Sequence, residues 1–154
     1  MKPDPNLKDW LEALAYLVAI VAPIVAAVVY VVGKRRGGIE ALTATIARGW
    51  TNEGDISSDE PFFVDLSLEL FEGDIIGTLT CSNRDRPFNA HVDVHWRSAT
   101  LQVSELLGRS SVPVAKVKLT LVGNRNRLNW KLMRAEREDV LPERTLLWPS
   151  AQRQ

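Results

Sequence analysis

The sequence predicts an all-β fold, a small antiparallel meander β-barrel of about eight strands, preceded by one transmembrane α-helix. Three observations carry that expectation. From Ala13 to Gly33 there are 21 residues without a charge. Beyond Trp50 the apolar residues alternate with polar ones at period two, in successive short runs. Turn signals separate the runs, among them EGD at 72–74 and GNRN at 123–126.

The chain has 154 residues, room for one compact domain and an appendage. Its 19 basic and 19 acidic residues balance, so a strongly basic nucleic-acid binder is not expected, and neither DNA nor RNA is an expected partner. One cysteine, Cys81, excludes an internal disulfide framework and a cysteine-based zinc site.

Residues 1–9 read as a short N-terminal tail, too short to hold another span, and 10–33 as the transmembrane helix. About 20 helical residues, rising 1.5 Å each, cross a hydrocarbon core of about 30 Å. A secretory signal has a shorter apolar region, a basic start and a small-residue cleavage site. Here the start mixes Lys2, Lys8, Asp4 and Asp9, and the run ends in GKRR. Lys34, Arg35 and Arg36 place the C-terminal side in the cytoplasm by the positive-inside rule, at the inner (cell) membrane. Trp10 and Tyr30 stand near the two ends, where amphipathic rings favour the interface. Pro23 removes a backbone hydrogen bond mid-span and favours a kink. Ala15, Ala19, Ala22, Ala26 and Ala27 recur about every four residues, a pattern that lets helices approach in lipid. Gly37 and Gly38 are expected to break the helix, leaving 34–48 as a linker with some helical character.

The barrel domain is expected over 49–150, with 151–154 as a frayed tail. A first strand runs near Trp50. In FFVDLSLELF, Val64, Leu66, Leu68 and Leu70 share one face, opposite Asp65, Ser67 and Glu69. IIGTLTCS is the next strand. FNAHVDVHWRS opposes Val92, Val94 and Trp96 to His91, Asp93 and His95. TLQVSELL ends at Gly108. In VPVAKVKLTLV, Ala115, Val117, Leu119 and Leu121 face away from Lys116, Lys118 and Thr120. RLNWKLM aligns Leu128, Trp130 and Leu132, and RTLLWP is the last strand. A meander of this size gains by closing, which removes its exposed edges; an open two-sheet sandwich is the alternative.

Chemistry-bearing clusters are few. HVDVH puts His91, Asp93 and His95 at same-face spacing for a metal, or on a solvated outer face. No glycine-rich phosphate loop or nucleophile elbow occurs, and Glu136, Glu138 and Asp139 lie in a turn-like charged stretch. No enzyme, cofactor or metal is expected. Trp50, Trp96 and Trp130 are core residues or stacking surfaces for a planar ligand. Charge is segregated along the chain. Eight acids and no bases lie from Glu53 to Asp74, and seven bases and no acids from Arg109 to Arg134. Three readings stand: complementary surfaces within or between subunits, contact with anionic lipid headgroups, or an anion site drawn from Lys116, Lys118, Arg125, Arg127, Lys131 and Arg134.

An N-terminal membrane segment followed by a minimal meander barrel resembles the membrane-anchored β-barrel effectors of bacterial CBASS antiphage systems, analogues of STING. The resemblance covers the whole chain as a layout, and departs in having one span where the family usually has two. It implies a barrel that binds a cyclic oligonucleotide made by a partner cyclase, oligomerises, and disrupts the inner membrane through its helices. Gly49, Trp50, Thr51 and Asn52, followed by Gly77, Thr78 and Leu79, also resemble the opening of avidin- and lipocalin-type barrels, which implies a ligand-holding barrel. The expected ligand-binding set is Trp50, Trp96 and Trp130 for stacking, and Lys116, Arg127 and Lys131 for phosphates. By alternation Lys116 and Lys131 point out of the barrel, so they serve a rim or an outer surface. The expected partners are a cyclic oligonucleotide, membrane lipids and further copies of the chain. The alternative is a non-enzymatic bitopic scaffold whose barrel binds a protein in an envelope or secretion assembly; a third is a lipocalin-type carrier.

Overall fold

A computed structural model of the chain describes residues 5–53, 63–124, 126–136 and 141–150. The chain divides into two compact units, Met1–Gly37 and Gly38–Gln154. The element order is α1 (Pro5–Ile46), β1 (Gly49–Thr51), β2 (Val64–Phe71), β3 (Asp74–Cys81), β4 (Phe88–Val94), β5 (Ala99–Leu107), β6 (Ser110–Val122), β7 (Arg127–Ala135) and β8 (Arg144–Pro149).

The first unit is the apolar part of α1. The helix is long and apolar enough to span a membrane, and its apolar stretch is not buried against the rest of the chain. Pro23 sits inside it. Trp10 and Tyr30 are exposed, and the Lys34 ammonium lies 5.9 Å from the Tyr30 ring centroid.

The break expected at Gly37–Gly38 does not occur: helical backbone continues to Ile46, so 34–48 is mostly helix rather than linker. The reason lies in the second unit. Leu42 and Ile46, four residues apart on one helical face, are buried in the barrel core. Two helical glycines cost about 2 kcal/mol relative to alanine. Burying two large aliphatic side chains stabilises by about 3–6 kcal/mol, so packing outweighs propensity. The helix ends where the Trp50 indole N–H donates to the Ile46 carbonyl, at 2.9 Å. That satisfies one of the carbonyls a helix leaves open at its C-terminus.

The eight strands close into a barrel in sequence order, every neighbouring pair antiparallel. The short β1 holds the seam, pairing Trp50 with Leu66 on one side and with Pro149 on the other. Glu72 and Gly73, both at positive φ, form the two-residue β2–β3 turn, the conformation that matches strand twist. Trp50, Leu66, Leu79, Phe88, Leu101, Leu119, Leu128, Trp130 and Leu147 fill the interior. Four residues differ from the alternation. Leu70 is 55% exposed, because it lies past the three-residue β1 at the free end of β2. Trp96 and His95 fall in the β4–β5 loop, since β4 ends at Val94. Val114 points inward, and the sheet register shifts between Val103 and Ser104 to admit it.

Candidate functional site

The tryptophans separate into two kinds. Trp50 and Trp130 are fully buried. Their indole nitrogens are spent inside the fold, Trp50 on Ile46 and Trp130 on the Pro142 carbonyl at 2.8 Å. Neither offers a face to a ligand, which corrects the expected stacking role. A packed lumen buries more apolar surface than a hollow one, and the side chains of a barrel this narrow meet across it. Trp96 is 39% exposed, with the Arg97 guanidinium 4.3 Å from its ring centroid.

The expected phosphate partners do not converge. Arg127 opens β7 and pairs in register with Val122, whereas Lys116 pairs with Arg134 near the other end of that strand. Arg127 and Lys131, four residues apart on one strand, are separated by about 13 Å. All three side chains are exposed on the outside of the barrel. Arg125, Glu138, Asp139 and the tail 151–154 lie outside the described residues.

Register creates rows that the linear sequence does not display. One row crosses four strands as His91, Gln102, Lys116 and Arg134, each opposite the next. The neighbouring row runs Asp93, Thr100, Lys118, Lys131 and Arg144. The first row borders a groove of about 610 Å³, whose walls also include Ser104, Ser111, Pro113, Ala115 and Glu136. Two irregularities meet here, one between Val103 and Ser104, the other between Lys116 and Val117. Bulges bend a strand locally and re-aim its side chains, which explains a hollow on the convex outside of a barrel. It also explains why Met133 and Arg134, consecutive in β7, are both exposed. Arg134 is held by Glu136 at 2.9 Å. Gln102 donates to Asp93 at 2.6 Å. Lys116 has no ion-pair partner among the described residues.

The groove can therefore offer an anion the Lys116 ammonium and the N–H groups of Arg134 that Glu136 leaves open, with amide and hydroxyl donors beside them and an apolar surface at Pro113 and Ala115; the Glu136 carboxylate on the same wall opposes an anion. Sequence reading named Lys116 and Arg134 but missed Gln102, Ser104 and Ser111, because nothing short of the pairing register brings them together. His91 and Asp93 lie on one strand with 3.9 Å between Nδ1 and Oδ1. His95 instead contacts Thr100, with Nε2 and Oγ1 3.3 Å apart. No cluster of three His, Cys, Asp or Glu able to hold a metal occurs among the described residues. No protein-family model, curated protein or solved structure matches this chain.

Proposed function

We propose that the chain is a membrane-tethered, non-enzymatic sensor-effector whose barrel binds a cyclic oligonucleotide on its outer surface. The observation that supports this reading is the groove bordered by His91, Gln102, Lys116 and Arg134, with Lys116 unpaired among the described residues. A phosphodiester accepts from the Lys116 ammonium and the Arg134 guanidinium, Arg being suited to two-point contact with phosphate. Gln102 and Ser104 supply further polar contacts, and Pro113 and Ala115 meet the apolar faces of bases. In line with the CBASS effectors the chain resembles, ligand binding draws copies together by favouring the assembled form. The apolar helices then gather and disturb the inner membrane. The flank Lys34–Arg36 favours a cytoplasmic barrel.

The test is a thermal-shift screen of the full chain in detergent against cyclic di- and trinucleotides, with linear ones as controls. A native-selective ligand at about 100 times its Kd adds about 2.7 kcal/mol, which moves the midpoint by several degrees. One cyclic species should shift the midpoint, and Lys116→Glu should abolish that shift. A flat response from a folded barrel overturns the reading.

A second reading rests on a different observation, the filled lumen. A barrel that holds nothing inside acts through its surface. It would then be a bitopic scaffold that recruits a protein partner in an envelope or secretion assembly, and it is the reading that a flat screen leaves standing.

A further inference from the structure

The barrel carries two charged strips that cannot neutralise each other. On β2 the outward positions Asp65 and Glu69 are exposed. Across β6, β7 and β8, Lys118 stands directly opposite Lys131, and Lys131 directly opposite Arg144. In a closed ring of eight strands β2 and β6 are four places apart in either direction, and β7 is three places from β2. β8, which carries Arg144, is two places from β2, so the basic strip lies two to four strands around the barrel from the acidic one. Like charges directly opposite in an antiparallel ladder repel, and none of these three cations has an ion-pair partner among the described residues. Asp65 and Glu69 have none there either. Among the described residues, then, neither strip is ion-paired within its own copy, although Glu143 borders the same hollow as Lys131 and Arg144.

We propose that barrels associate head to tail, the Asp65–Glu69 strip of one copy against the Lys118–Lys131–Arg144 strip of the next. A second copy is the occupant that charge complementarity favours, because the chain, balanced in charge, carries the matching acids on its own β2.

Strip geometry fits this pairing. The acidic strip runs along a strand and is about 13 Å long at about 3.3 Å per residue; the basic strip runs across three strands, about 10 Å at about 4.8 Å per strand. Strands of a small barrel tilt by about 35–45° from its axis. Two such barrels set side by side with parallel axes bring their touching strands to a crossing angle of twice the tilt, about 70–90°. At that crossing a strip along one strand lies over a strip across the other set. The basic strip is centred on β7, three places from β2 in a ring of eight, about 135° around the barrel, so the two strips meet when successive copies are related by a translation together with a rotation of about 45° about the barrel axis. The contact joins unlike faces, so each copy keeps one face free and the assembly propagates instead of stopping at a dimer. Single exposed ion pairs contribute about 0–1 kcal/mol. The association is weak in free solution and gains from confinement, which raises effective concentration. It holds equally for a sensor or a scaffold, and does not rest on the nucleotide reading.

The experiment measures self-association of the full chain in lipid nanodiscs and on supported bilayers, by chemical crosslinking and single-particle brightness, at about 50 and 500 mM salt. Three variants are compared with wild type, each checked for an unchanged melting curve: D65K/E69K, K118E/K131E, and all four substitutions together. Wild type should form a ladder of species that fades at high salt. Each double variant alone should associate at least about tenfold more weakly, the effect of reversing two exposed pairs. The quadruple variant, with the strips exchanged, should regain association, as should a mixture of the two doubles. Failure of the quadruple variant to regain what the doubles lose overturns the proposal. So does a salt-insensitive ladder, the absence of wild-type association, or a basic strip that instead captures vesicles rich in anionic lipid.

Discussion

Replacing Gly77 with alanine tests how tightly β2 and β3 are joined. Gly77 pairs with Leu68 across the ladder. A Cβ built there falls onto the Ser67 carbonyl oxygen, 2.9 Å from the Ser67 carbonyl carbon and 3.0 Å from the Leu68 Cα. Ordinary heavy-atom contacts lie near 3.5–4.0 Å, and the carbonyl oxygen is closer than either carbon, so the strands must part by about 1 Å or more. The obstacle is backbone, which no rotamer change relieves. Overpacking of this kind costs about 1–3 kcal/mol, and a weakened ladder hydrogen bond adds about 1 kcal/mol. The reduced freedom of the unfolded alanine chain returns about 0.4–1 kcal/mol. A net loss of about 2 kcal/mol should lower the melting temperature of a barrel this size by roughly 8 °C. Gly49 is the control. A Cβ there meets the Ser150 hydroxyl, the far end of a side chain that can rotate away. Gly49→Ala should therefore melt within about 2 °C of wild type. The assay is thermal unfolding followed by circular dichroism. A Gly77→Ala protein as stable as wild type, or a Gly49→Ala protein damaged equally, would refute the reasoning.

Other outcomes follow from burial and hydrogen bonding. Ile46→Ala should destabilise the barrel by about 2–5 kcal/mol in chemical denaturation, because the end of α1 belongs to the core; a barrel indifferent to the change would mean the helix end only decorates it. Trp130→Phe should cost about 1–3 kcal/mol beyond the lost packing, since the Pro142 carbonyl loses its indole donor; urea titration reads this directly. Burial pushes the Cys81 thiol from 9.0 up to about 11, against the lowering effect of Arg84. Its folded pKa thus exceeds its unfolded one, so its contribution is complete below pH 9 and is lost as pH rises toward 11. Wild type should lose about 2 kcal/mol more than Cys81→Ala across that window, read from chemical denaturation of both proteins at each pH. Parallel slopes would show that Cys81 does not titrate as a buried group.

Much of the architecture is legible in the primary structure because the signals are local. Successive side chains of a strand point to opposite faces, so Leu66 and Leu68 announce themselves against Asp65, Ser67 and Glu69. Glu72–Gly73 marks its own turn through φ. A charge-free run long enough to span hydrocarbon needs no partner to be recognised. The functional surface is different. Lys116, Gln102 and His91 become neighbours only through register, set by the whole sheet and offset by bulges near Ser104 and Val117.

Composition and period determined that this chain would pair an apolar helix with a meander of half-buried strands. Tertiary structure decided the rest: that helical backbone continues past two glycines because Leu42 and Ile46 find a core, that Trp50 and Trp130 pack the barrel instead of facing a ligand, and that opposite charges end on separate strands, two to four places apart around the barrel. Propensity and alternation act over a few residues, whereas burial and register are settled by groups far apart in the chain that meet only once the barrel has closed.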